Sequence, residues 1–136
     1  MELRFEFVIF DNKKKMIITD NKSLFDVKRE FSQKFPYLKL EFYAKEHKEG
    51  EGSEDRLKID GDLTIGSIRS THEEGDLSIN GHLKVGTFER MFFEKYGLNV
   101  QVFRKSGTIW LQTIKTDDWT LAEQNSRGEK SVTQEL

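Results

Sequence analysis

The twenty residues Ser23–Phe42, SLFDVKREFSQKFPYLKLEF, decide what this chain can fold into. The Ser23 hydroxyl is placed to cap a helix whose positive N-terminal end is favoured by Asp26, a variant of the capping box. Leu24, Val27, Phe31 and Phe35 follow at spacings of three, four and four, one apolar stripe, and Pro36 stops the helix by withholding an amide proton. Leu38, Leu40 and Phe42 then alternate with Lys39 and Glu41, the period of a half-buried strand.

Upstream, Leu3, Phe5, Phe7 and Ile9 alternate with Arg4 and Glu6. Asp11-Asn12 offers a turn before Met16-Ile17-Ile18-Thr19, so a β-hairpin is expected ahead of the helix. Downstream the same text returns. Met16, Ile18, Leu24, Val27, Phe31 and Phe35 recur at an offset of 61 as Leu77, Ile79, Val85, Phe88, Phe92 and Tyr96. After the helix the offset becomes 60, and Leu38, Leu40 and Phe42 match Leu98, Val100 and Val102. Common ancestry and convergence on an amphipathic pattern both account for the match. In either case two strand–helix–strand units, each with one apolar stripe to bury, predict an α+β two-layer sandwich: a mixed β-sheet with two helices on one face.

Between the units, residues 46–76 hold four Lys or Arg against ten Asp or Glu, and HKEGEGSEDR has the composition of a mobile loop over about 46–56. Leu57 and Ile59 suit a short strand. GDLTIG and GDLSING look like two coils of a β-solenoid, but a solenoid needs more coils to bury a core. Leu63, Ile65, Gly66 and Ile68 instead match Leu83, Val85, Gly86 and Phe88 at an offset of 20, so LTIGSIR reads as a turn of helix and STHEEG as a loop. Gly97 stands where a left-handed cap ends the second helix. Leu98, Val100 and Val102 then form a strand, and Lys105-Ser106-Gly107 turns the chain into Thr108–Thr113. Apolar content falls beyond Leu121. The expected organisation is one domain over residues 1–122 and a flexible tail over 123–136.

The element order of residues 1–44, hairpin then helix then strand, is similar to the ubiquitin-like β-grasp domains; the ferredoxin-like sandwich is the competing arrangement. A β-grasp resemblance implies a binding module that offers its sheet surface to other proteins. The run GLNVQVFRKSGTIWLQTIKTDDWTLAEQN, within residues 63–125, resembles small bacterial proteins with no assigned activity and implies no catalytic residue.

Composition excludes several classes. The chain of 136 residues is 35% hydrophobic and 34% charged, with eleven Phe supplying much of the core bulk. A net charge of −2 gives no electrostatic support for nonspecific capture of nucleic acid or anionic membrane. No cysteine is present, so thiol chemistry and disulfide scaffolds are out. No window approaches a membrane span, and the start of the chain lacks a signal-peptide pattern, from which a cytoplasmic protein is expected.

No catalytic set emerges. His47, His72 and His82 are isolated, without the spacing that places two imidazoles on one metal, and read as solvated histidines. His72-Glu73-Glu74 with Asp76 lacks an EF-hand pattern, and no phosphate-cradling glycine motif or GxSxG elbow occurs. Asp117-Asp118 beside Trp119 are neighbours, whereas paired catalytic carboxylates come from separate strands. Thr116 or Asp117 is expected to cap a short terminal turn that folds Trp119 and Leu121 onto the core. Arg90, Lys95, Arg104 and Lys105 with Phe103 and Trp110 could form an RNA patch, but the RRM signature is missing and the acidic loop would repel phosphate. No cofactor or metal is assigned.

A two-residue turn at Ser106-Gly107 would set Phe103 opposite Trp110, with Tyr43 on the same face by the repeat. Tyr43, Phe103 and Trp110 would then mark an open sheet face, with Trp119 close enough to lie over it. Large aromatics concentrate binding energy at interfaces. The expected role is a noncatalytic protein-interaction or assembly module, with a protein partner or a second copy. The alternative is a small hydrolase or ligand-binding domain, its site assembled from Asp117, Asp118, His72 or His82.

Overall fold

The structure is a computed structural model that describes residues 15–46 and 51–133. The leading strand expected over Leu3–Ile9 and its turn lie outside the described residues, as does His47. Strand β1 (Lys15–Ile18) precedes helix α1 (Leu24–Lys34) and strand β2 (Leu38–Tyr43). Short 3-10 turns follow at Asp55–Leu57 and Ile65–Ile68. Strand β3 (Gly75–Ser78), helix α2 (Val85–Tyr96) and strand β4 (Asn99–Ser106) repeat the first unit. Strand β5 (Ile109–Gln112) and helix α3 (Leu121–Thr133) complete the described chain.

The local signals act as read. Ser23 Oγ accepts the Asp26 N–H at 3.0 Å, and Gly97 closes α2 with φ 65°, in the left-handed region that a side chain would strain. A Cβ on Gly97 would also lie 2.5 Å from Thr71 Oγ1.

The α+β two-layer class is the one formed. Its described strands are all antiparallel and divide between two sheets, β1–β3 and β2–β4–β5, where a single mixed sheet was expected. Each strand–helix–strand unit gives one strand to each sheet. The registers are centred alike: Met16 pairs with Leu77, and Glu41 with Gln101. Each of these pairs joins two positions that the offsets of 61 and 60 make equivalent. Met16–Leu77 and Glu41–Gln101 therefore lie on an internal pseudo-two-fold axis. Antiparallel pairing about a two-fold is the self-complementary way for similar surfaces to meet.

The correspondence extends to the helix starts. Leu24 N–H donates to Leu63 O (2.8 Å), Ile65 N–H to Lys22 O (2.9 Å) and Gly66 N–H to Asp20 O (3.0 Å). In the second half Val85 N–H donates to Trp119 O (2.9 Å), Leu121 N–H to Leu83 O (2.9 Å) and Ala122 N–H to Gly81 O (3.0 Å). Two helix N-termini thus meet in each half and satisfy amides that a helix leaves unpaired. DLTIG and DWTLA are structural counterparts, and the buried Ile65 and Leu121 anchor them.

Helices α1 and α2 pack on the face of β2 and β4 that carries Leu38, Leu40, Phe42, Val100 and Val102, all buried. Phe31 stacks on Phe88 at 5.3 Å and 29°, while Phe92 meets Phe88 and Phe42 edge-on. The expected tail from residue 123 is a correction: α3 occupies it as far as Thr133. Thr120 Oγ1 accepts the Glu123 N–H and Glu123 Oε1 accepts the Thr120 N–H, a reciprocal capping box. Buried Gln124 donates to Thr116 O and accepts from Arg104, and Asn125 Oδ1 accepts the Tyr37 N–H. Leu121 lies in the core as expected, but the cap is Thr120, not Thr116 or Asp117.

Phe88→Ala removes the ring shared by both helices and should lower stability by about 3–5 kcal/mol in urea unfolding. Phe93→Ala, at an exposed position of the same helix, should cost less than about 0.5 kcal/mol. Equal effects would contradict the packing described.

Candidate functional site

The sheet face opposite the helices carries Lys39, Glu41 and Tyr43 from β2, Gln101, Phe103 and Lys105 from β4, and Trp110 and Gln112 from β5. Tyr43, Phe103 and Trp110 do share it, but the hairpin turns at Gly107-Thr108 rather than Ser106-Gly107. Lys105 opposes Trp110 and Phe103 opposes Gln112. The reason is that Gly107, with φ 61°, supplies the left-handed turn residue and Ser106 stays in the strand. Because the slip moves each partner by two residues, the facing is preserved.

The face is not bare. Lys39 Nζ lies 5.1 Å from the Phe103 ring and 5.2 Å from Trp110, and Lys105 Nζ lies 5.0 Å from Trp110. Both rings are half-buried beneath ammonium groups. Tyr43 is only 2% exposed, because residues 51–59 cross above it. Ser53 N–H donates to Gln112 Oε1, Ser53 Oγ to Gln101 Oε1 and Gln112 Nε2 to Ser53 O. Ala44 N–H then donates to Leu57 O and Ile59 N–H to Phe42 O, which lays residues 57–59 along the outer edge of β2. Among the described residues the Tyr43 hydroxyl has no hydrogen-bond partner, and burial followed by nearby Glu41 pushes its ionisation above the usual phenol range. Trp119 lies apart from the other three, between the guanidinium groups of Arg104 and Arg127 at 5.7 and 5.5 Å.

Equivalent polar ties join helix to sheet in the two halves. Lys28 Nζ lies 2.8 Å from Glu41 Oε1 in the first. At the matching positions of the second, Gln101 Nε2 donates to Glu89 Oε2 at 3.2 Å, and Val102 N–H donates to the same oxygen at 2.9 Å. Glu89 stands within the apolar stripe of α2, four residues after Val85, where β5 has run out. Thr113 N–H still reaches Val102 O, while the carboxyl of Glu89 takes the Val102 N–H in place of a strand carbonyl. Burial pushes the Glu89 carboxyl up to about 8; the Val102 N–H opposes that rise and the charge of Asp117 adds to it.

Glu89 borders a cavity of about 350 Å³ between α2 and the start of β4, also lined by Phe93, Leu98, Asn99, Val100 and Asp117. Asp117 reaches it because its backbone carbonyl accepts the Gly86 N–H at 2.7 Å. This group was missed from the sequence; a glutamate inside an apolar helical stripe was the available signal.

The other sequence candidates are dispersed. His72 Nδ1 lies 2.8 Å from Asp20 Oδ2, and Asp20 Oδ1 accepts from the buried Arg69, whose Nη1 also donates to Tyr96 O. That network ties the first turn to the approach to β3, and Arg69 holds the Asp20 carboxyl below its ordinary range. His82 is exposed and Asp118 faces solvent, so only Asp117 of the proposed Asp/His set lines the cavity. Arg90, Lys95, Arg104 and Lys105 take separate partners: Glu94, the Asp76 carbonyl, Gln124 and the Trp110 ring. Among the described residues no group of three or more metal-ligating side chains is placed to hold a metal ion, and no helix is long and apolar enough to cross a membrane. No protein-family model, curated protein or solved structure matches the chain.

The folded state holds the Glu89 proton more tightly than the unfolded chain does. Its stabilising contribution is full below the ordinary value of 4.5 and is lost as pH rises toward about 8. Relative to Glu89→Gln, the parent should lose stability by at most about 1.4 kcal/mol per pH unit across that window. Parallel pH–stability curves for the two proteins would contradict a buried, protonated Glu89.

Proposed function

We propose that the protein is a noncatalytic assembly module that associates with a second copy of itself through β5. The observation that carries this reading is the character of that edge. Residues 106–114, SGTIWLQTI, form the longest stretch of the chain without Asp, Glu, Lys or Arg. Within it Ile109 is 56% and Leu111 39% exposed. Sheet edges in monomeric proteins are commonly guarded by charge, proline or a bulge, and β5 has none of these.

Since Thr113 N–H is directed to β4, the alternate residues Trp110 and Gln112 turn their N–H and C=O groups outward. Antiparallel pairing of two β5 strands about Leu111 would match Trp110 of one copy with Gln112 of the other and extend the sheet to six strands. The half-buried Phe103 and Trp110, packed beneath Lys39 and Lys105, then stiffen the hairpin that presents the edge. The matched helix starts and strand registers support reading the two halves as copies of one strand–helix–strand unit, so pairing of like strands would recur between chains.

Light scattering across a concentration series should show the parent approaching the mass of two chains. Leu111→Lys, which sets like charges across the axis, should remain monomeric with an unchanged circular dichroism spectrum. A monomeric parent at high concentration rejects self-assembly. Association lost in Trp110→Ala but kept in Leu111→Lys would place the contact on the aromatic face and reject the edge.

A further inference from the structure

Trp119 brings two guanidinium groups together: Arg104 Cζ lies 5.7 Å and Arg127 Cζ 5.5 Å from its ring centre. Neither arginine makes an ion pair among the described residues. Gln124 Oε1 accepts from Arg104 Nη1 at 2.9 Å, and that buried glutamine is tied in turn to Thr116, so Arg104 is held in place with one of its donors used. Burial, followed by the charge of Arg127, holds the Arg104 guanidinium below its ordinary range, so the two cations repel across the ring. An anion beside them removes that cost. Next to the ring runs a groove of about 360 Å³ lined by Trp119, Ala122, Glu123, Ser126, Arg127 and Lys130. The Leu121 and Ala122 amides at the start of α3 are taken by Leu83 O and Gly81 O, so a ligand here meets side chains rather than the helix end. Glu123 precedes Arg127 by four residues, the spacing of a helical ion pair, yet it accepts the Thr120 N–H and no such pair forms.

We propose that this groove binds a small phosphate monoester with an aromatic body, its phosphate held by Arg127, Lys130 and the Ser126 hydroxyl and its ring resting against Trp119 and Ala122. Arg104, Arg127 and Lys130 outnumber Glu123 by two charges, and a phosphate monoester carries about −1.5 to −2 at neutral pH with three acceptor oxygens. The planar donor fork of arginine suits those oxygens, and stacking on an aromatic ring orients it. An ammonium ligand would meet the same cations and be repelled. None of these residues belongs to β5, so the success or failure of the groove leaves the assembly reading untouched.

Phenyl phosphate is the probe, titrated into the full chain and followed by NMR, with inorganic phosphate and benzylammonium chloride alongside. Phenyl phosphate should shift the Trp119 indole N–H and the amides of Ser126 and Arg127 in a saturable way at millimolar concentration, inorganic phosphate more weakly, and benzylammonium not at all. The Trp110 indole, the other one in the chain, should stay in place. Arg127→Gln, at an exposed position, should weaken binding about tenfold, as loss of a hydrogen bond to a charged group does. Glu123→Gln, which keeps an acceptor for the Thr120 amide and removes the repelling charge, should tighten it. The spectra of both variants should stay folded. The proposal is overturned if phenyl phosphate leaves the Trp119 indole unmoved or shifts Trp110 equally, if inorganic phosphate or benzylammonium binds as tightly, or if Arg127→Gln binds like the parent.

Discussion

The contact between α1 and α2, with Phe31 stacked on Phe88, is the constraint from which the rest of the molecule follows. Neither strand–helix–strand unit can cover its own apolar surface: each carries one helix stripe and two strands that end in different sheets. Bringing the helices together over β2 and β4 buries both stripes at once. It also obliges β1 to meet β3 and β2 to meet β4. The pairs Met16–Leu77 and Glu41–Gln101 record how closely the halves match, since each joins a residue to its own counterpart. The matched backbone bonds at the helix starts let Ile65 and Leu121 close the core at equivalent points.

The symmetry breaks where chemistry is possible. The first half ties α1 to β2 by the ion pair of Lys28 with Glu41, and the second ties α2 to β4 by Glu89 with Gln101 and the Val102 amide. Residues 57–59 shield the outer edge of β2, whereas β5 covers β4 only from Phe103 onward. The remaining stretch of β4 borders the cavity, and the outer edge of β5 has no partner strand among the described residues. Departures from the repeat, rather than the repeat itself, mark the surfaces with a candidate role.

Much of this architecture was legible in the residues. Apolar spacing located both helices, the strands on either side of each, the turn of helix at Ile65–Ile68 and the shared face of Tyr43, Phe103 and Trp110. The hairpin register was misread by two because Gly107, not Ser106, begins its turn. Helix α3 was missed because its interior is polar; it is held by the Thr120–Glu123 capping box and by Gln124 and Asn125, which leave no apolar stripe. Tyr43 looked exposed because the crossing segment binds through Ser53, Gln101 and Gln112, side chains whose pairing has no periodic signature. Glu89 was hidden for a related reason, as its burial depends on where a neighbouring strand stops.

The two halves form one core rather than two docked domains. Equilibrium urea unfolding can be followed by Trp110 and Trp119 fluorescence, which reports the second half, and by NMR amide intensities from Leu24 to Phe42, which report the first. A shared core predicts coincident transitions with one midpoint. Separate midpoints, with the first half melting while the tryptophan signal persists, would contradict it.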